Sequence, residues 1–378
     1  MRTLAPLLAL ALLVAGCGGD GAGSGATSGL RVSTEGWKTD FARHSVPLGE
    51  ISSGGPPRDG IPPIDEPRFV GVEQADFLDD REPVLVVEQD GRARAYPLQI
   101  LVWHEIVNDD FAGTPLAVTY CPLCNSALVF DRRVDGRTLR FGTTGNLRKS
   151  DLVMWDDATE SWWQQLGGEA IVGELTGARL TPVPAQTLSW ADVRDRFPAA
   201  EVLSRDTGFD RDYGANPYLD YEAPRSVDEQ PFLLEEEADD RLPAKERVVA
   251  VRHGEGATVV PFSRLEREPI VQAHAGERPI VVAFKPGVVS ALDSAAISDS
   301  AEVGTACVFD RRLDGRALTF EAAGDGRFRD RQTASTWDIT GRAVEGELRG
   351  RRLEPVIHDQ QFWFAVAAFL PAAEITHP

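Results

Sequence analysis

The sequence predicts a mainly β chain with a few short helices, organised as two tandem duplicated β-sandwich or barrel-like domains. Three observations carry this. Short runs rich in Val, Ile, Thr and aromatic residues recur about every ten positions, separated by Asp-Gly and Gly-rich turns. Clear helical periods are few. Long strings also return in the second half: ALVFDRRVDGRTLRF at 127–141 becomes ACVFDRRLDGRALTF at 306–320, and VGELTGARLTPV at 172–183 becomes VEGELRGRRLEPV at 344–356, as duplication requires.

Taken in order, Met1-Arg2 precede an apolar run from Leu4 to Ala15 that ends in Val14-Ala15-Gly16-Cys17. The run is too short to span a bilayer as a stable helix. Residues 1–17 resemble the signal peptide and lipobox of bacterial lipoproteins, with a plain cleaved signal peptide as the simpler alternative. The resemblance implies lipidation at Cys17, export, and a membrane partner through the lipid anchor, with the protein facing the periplasm or the cell exterior. Residues 18–29 read as a flexible Gly/Ser/Ala/Thr tether.

Residues 30–69 are too rich in Pro and Gly for regular structure and read as an extended arm packed on the first domain. Arg58 and Asp59 are possible pocket residues on that arm, although an Asp before Gly is first of all a turn residue. The first β domain covers 70–204. A linker follows at 205–245, carrying DYGANPYLDYEAP and the acidic run Glu235–Asp240, and 246–378 is the second, degenerate copy.

The 378 residues suffice for two domains with their own cores. A formal net charge of −20 argues against nucleic acid as a partner and against electrostatic docking on anionic lipid. Of the four cysteines, Cys17 belongs to the lipobox, so Cys121, Cys124 and Cys307 cannot form a dense disulfide framework.

The chemistry concentrates in LVWHEIVNDDFAGTPLAVTYCPLC at 101–124. Pro97 opens a helix with apolar residues at Leu98, Leu101 and Val102, ending near His104. Glu105-Ile106-Val107 reads as a strand, 108–113 as a turn and Pro115–Tyr120 as the returning strand. Pairing Asn108 with Pro115 sets His104 opposite residue 119, close to Cys121. Further strands are expected at Val84–Val87, Ala127–Arg132, Thr138–Phe141, Leu152–Trp155, Ala170–Val172 and Arg179–Val183, and a helix capped by Ser189 at 189–197.

Cys121-Pro122-Leu123-Cys124 lies between strands, without the helix amino terminus that lowers a redox thiol's pKa. Two Cys at such a turn, with His104, suit a transition metal, copper or zinc. Met154 as fourth ligand favours copper, whereas Glu105 or Asp109 favours zinc; a core residue is the simpler reading of Met154. Reversible thiol–disulfide chemistry of Cys121 and Cys124 is the alternative, and a non-catalytic cell-envelope binding scaffold with a structural disulfide is another. Arg148, on a polar loop, and Trp163, in a Trp cluster, are further pocket candidates for which a solvated turn and core packing are the simpler readings. In the second copy a shift of 164 aligns Glu268, Lys285 and Val288 with His104, Cys121 and Cys124, so no metal is expected there.

The strings VWHEIVND, VTYCPLCNSALVFDR, FGTTGNLRKSDLVMWDDATESWWQQ and SGGPPRDGIPPIDEPRF, in this order apart from the last, which comes first, resemble an exported bacterial family catalogued as domain of unknown function 3179. The resemblance covers nearly all of the chain beyond the tether and implies a shared fold and export, but no reaction.

Overall fold

The computed structural model describes residues 29–223 and 226–376; the expected signal peptide, Cys17 and nearly all of the expected tether lie outside them. Strands Pro83–Gln89 and Arg92–Pro97 form the first long hairpin, turning at Asp90-Gly91 with φ of 51° and 75°. Two positive φ values make the turn twist match the strand twist, which is why Asp-Gly serves here. Ala185–Ser189 extends this sheet on one edge, and Glu201–Leu203 with Phe69–Gly71 extends it on the other.

Helix Leu98–His104 leaves that hairpin and buries all its side chains but Trp103. It stops because Glu105 turns left-handed, at φ 59°. Strands Ile106–Phe111, Thr114–Cys121 and Ser126–Asp131 then run antiparallel, joined at the far edge by Thr181–Val183. The register differs from the expected one: Asn108 faces Ala117, and Asp110 faces Pro115. The segment read as a six-residue turn is strand as far as Phe111, because Ala112 and Gly113, at φ 49° and 79°, reverse the chain in two residues.

A third sheet takes Ile51–Ser53 from the arm, then Phe141–Arg148, Asp151–Asp156, Trp162–Gln164 and Glu169–Val172. Helix Trp190–Arg196 starts where expected, with the Ser189 hydroxyl accepting from the Asp192 amide at 3.1 Å. The second half uses strands Arg247–His253 and Gly256–Pro261, helix Phe262–Leu265, a three-stranded sheet of Ile270–Ala275, Arg278–Lys285 and Thr305–Asp310, a four-stranded sheet from Phe320 to Glu345, and the closing helix Trp363–Phe369. The molecule is thus mainly β, built of several open sheets. Among the described residues none closes into a barrel, which corrects that expectation.

The halves interlock. Asp359–Phe362 of the second half lies on Ser126–Asp131 of the first: Phe362 N donates to Cys124 O at 2.9 Å, and Asn125 Nδ2 donates to Gln360 O at 3.1 Å. Reciprocally, the Thr305 hydroxyl donates to Thr187 O, within Ala185–Ser189. The segment between the halves is no loose spacer. It hydrogen-bonds along 292–297 of the second half, as in Asn216 N to Ala295 O at 2.9 Å, and turns three tyrosines towards the first. No helix among the described residues is long and apolar enough to cross a membrane.

Candidate metal centre

Cys121 ends its strand and pairs with Ser126, so Pro122-Leu123-Cys124-Asn125 forms a tight four-residue loop. Asn125 takes the left-handed conformation, φ 52°, that completes such a loop and is among the non-Gly residues that tolerate it best. Facing it is the hairpin between Phe141–Arg148 and Asp151–Asp156, whose two turn residues, Lys149 and Ser150, both have positive φ, 51° and 66°. A turn of this kind without Gly or Asn costs about 1 kcal/mol per residue, so the surrounding structure must hold it.

That turn aims Ser150 O and the Asp151 side chain at the thiols. Cys124 Sγ lies 3.4 Å from Ser150 O and 3.5 Å from Asp151 Oδ1, and Cys121 Sγ lies 4.0 Å from Ser150 O. One ligand atom each from Cys121, Cys124 and Asp151 falls within 4.8 Å of the others, and all three residues are buried. The second carboxylate oxygen accepts from Leu166 N at 2.9 Å and from Gln164 Nε2. Such outer partners orient a carboxylate that ligates a metal. Both thiols are free, not joined in a disulfide.

Burial pushes both thiols up and raises the Asp151 carboxyl to about 6, although Leu166 N, Gln164 and the thiols hydrogen-bond its ionised form. Crowding in a dry site without a counter-charge disfavours the ionised form of all three groups and keeps the two thiols protonated. A divalent cation held by Cys121, Cys124 and Asp151 would supply that charge and favour loss of the thiol protons.

The structure places His104 elsewhere. Its Nδ1–H donates to Pro62 O at 2.7 Å, and its Nε2 accepts from the Tyr213 hydroxyl at 2.6 Å. The ring is satisfied at both nitrogens, and burial lowers its pKa towards the neutral form this arrangement requires. The reading that carried it to the thiols fails for a local reason: residue 104 closes the helix instead of starting the strand, so the pairing register never reaches it. Met154 is buried in the apolar core between its cross-strand neighbours Thr143 and Trp163.

The remaining candidates separate as well. Asp109 forms a structural ion pair, 2.8 Å from Arg94, and accepts from the Tyr96 hydroxyl at 2.6 Å. Arg148 pairs with Glu50 at 2.7 Å, and Trp163 Nε1 donates to Asp156 at 2.9 Å within the core. Arg58 is stacked on Trp155 and Trp37, at 3.5 and 4.3 Å, while Asp59 accepts from Trp155 Nε1 and Thr143 N at 3.0 Å. Those two residues clasp the arm to the first half. Glu105 faces a cavity beside the thiol loop, where it accepts from the Tyr218 hydroxyl at 3.2 Å.

Sequence reasoning missed Asp151, Tyr218 and Tyr221, whose hydroxyl donates to Leu123 O at 3.0 Å inside the Cys-Pro-Leu-Cys loop. The available signals were a two-residue turn between apolar strands with an acid directly after it, and the aromatic content of the supposed linker. In the second half Lys285 forms an ion pair with Asp192, Glu268 pairs with Arg264 at 2.8 Å and Val288 is buried. Among the described residues no second group of ligand atoms comparable to the Cys121 cluster is found.

A family model described as protein of unknown function (DUF3179) matches residues 58–373. No curated protein and no solved structure matches the chain.

Proposed function

The chain belongs to the DUF3179 family, whose description states no activity, and from the site itself we propose an exported, lipid-anchored protein that binds a transition metal through Cys121, Cys124 and Asp151. The carrying observation is the convergence of two thiols and one carboxylate, all buried, within 4.8 Å. Zinc suits this set better than copper. Zinc accepts mixed sulfur and oxygen ligands, whereas the thioether and imidazole that favour copper are absent from the group. Three protein ligands leave a fourth position for water or substrate, the arrangement of reactive rather than purely structural zinc sites. Export and the anchor on Cys17 rest on the amino-terminal motif.

The proposal includes a duplicated origin with one site. Ile106 pairs with Thr119 as Ile270 pairs with Ala283, each shifted by 164 positions (106 to 270, 119 to 283). Trp163 Nε1 donates to Asp156 as Trp337 Nε1 donates to Asp330, at 2.9 and 3.0 Å, and each Asp also accepts from a Thr three residues on. The second copy then serves as the partner that buries the first.

Elemental analysis of protein isolated from the cell envelope, with a thiol count in denaturant, tests the reading. One zinc per chain and free Cys121 and Cys124 after chelation are expected. Metal-free protein with a Cys121–Cys124 disulfide would replace it by thiol–disulfide chemistry.

A further inference from the structure

Beside the thiol loop lies a cavity of about 340 Å³. Ile61 of the arm and Leu147 and Leu152 of the Asp151 hairpin form its apolar wall, and Tyr218, Tyr221 and Phe232 of the intervening segment form an aromatic one. Phe232 is 48% exposed, unusual for a Phe, and marks the mouth. Volumes of roughly 300 to 1,000 Å³ are those of small-molecule sites. Among the described residues no Lys, Arg or His lines the cavity, and the one lining carboxyl belongs to Glu105.

Glu105 is a costly residue at this position. Its backbone is left-handed at φ 59°, a helix-ending conformation that Gly or Asn adopts with less strain. Its carboxyl follows the last turn of a helix, where the backbone dipole disfavours negative charge. The side chain is buried, and among the described residues its one hydrogen bond is the 3.2 Å contact from Tyr218. Packing explains none of these features, since an amide or a Gly would serve the fold better. A ligand that brings a positive charge to the carboxyl explains all three.

We infer that this cavity binds a small organic amine with an apolar, aromatic-compatible body, its ammonium on Glu105 and its body against Tyr218, Tyr221 and Phe232. Aromatic faces and a carboxylate together form the recognition pattern for a cation with a hydrophobic substituent. The inference does not rest on the metal reading, because none of the three metal ligands lines the cavity.

Calorimetry on the full chain with 2-phenylethylamine and its uncharged isostere 2-phenylethanol tests it. The amine binds and the alcohol binds at least tenfold more weakly. Glu105→Gln removes that preference, Leu147→Trp fills the cavity and abolishes both, and Cys307→Ala, outside the cavity, binds the amine as the unsubstituted protein does. Circular dichroism checks that each variant is folded; should Glu105→Gln not fold, the amine–alcohol comparison and Leu147→Trp decide the matter. Equal binding of amine and alcohol, unchanged binding in Glu105→Gln, or no binding of the amine at millimolar concentration would each overturn the inference. Loss of amine binding in Cys307→Ala would likewise overturn it.

Discussion

Cys124 Sγ lies 3.5 Å from Asp151 Oδ1, although the two residues come from different hairpins and both are fully buried. A thiolate and a carboxylate this close in a dry site repel each other, so without a cation the Cys124 thiol holds its proton. On the proposed metal reading, this contact couples binding to release of the thiol proton.

Asp151→Asn keeps the shape of the side chain and removes its charge, and it should lower zinc affinity by about ten- to a thousandfold, with Cys121→Ser and Cys124→Ser at least as damaging. His104→Ala should leave affinity within about threefold. It should instead destabilise the fold by about 1–3 kcal/mol, because Pro62 O and the Tyr213 hydroxyl lose a buried partner. Competition with a chromophoric chelator, beside urea denaturation, separates these outcomes. A His104→Ala loss matching that of Cys121→Ser would return His104 to the ligand set.

Zinc affinity should rise with pH. Burial holds both thiols above their usual value and Asp151 at about 6, whereas the bound ligands are deprotonated, so each proton released favours binding as protons become scarcer. Calorimetry in two buffers of different ionisation enthalpy measures the release directly. A pH-independent affinity between pH 6 and 9 would mean that the thiols are not ligands.

Glu105→Gln should change how stability responds to pH in the metal-free protein. Burial raises the Glu105 carboxyl from 4.5 to about 7, so between those values the folded state holds a proton that the unfolded state releases. Stability from this group is thus fully present below about pH 4.5 and declines as pH rises to about 7. The variant should gain on the unsubstituted protein across that window, by on the order of 1–3 kcal/mol, and run parallel to it outside. Urea midpoints at pH 4, 5.5 and 8 give the comparison, and a constant difference would show that the carboxyl is not perturbed.

Cys307→Ala should leave zinc stoichiometry unchanged and cost about 1 kcal/mol for the small void it opens. Cys307 faces Ala283 inside the second half's sheet, and burial keeps its thiol protonated. A loss of zinc in this variant would place Cys307 in the site.

Local chemistry made part of this molecule readable. Alternating apolar residues and Asp-Gly pairs determined the strands and their turns, Pro97 and Ser189 determined two helix starts, and two thiols separated by two residues marked the loop that Asp151 approaches. All of these depend on neighbours a few positions apart. The partners of His104, by contrast, come from Pro62 and Tyr213, which are 42 and 109 positions away. Asp151 reaches the thiols only because Lys149 and Ser150 are held in a left-handed turn that their own preferences oppose. Glu105 meets Tyr218 only because the segment between the halves folds back over the first. Spacing along the chain determines which elements form, whereas the neighbours of a buried polar group are decided by how distant elements pack, since each such group must find a partner inside the finished core.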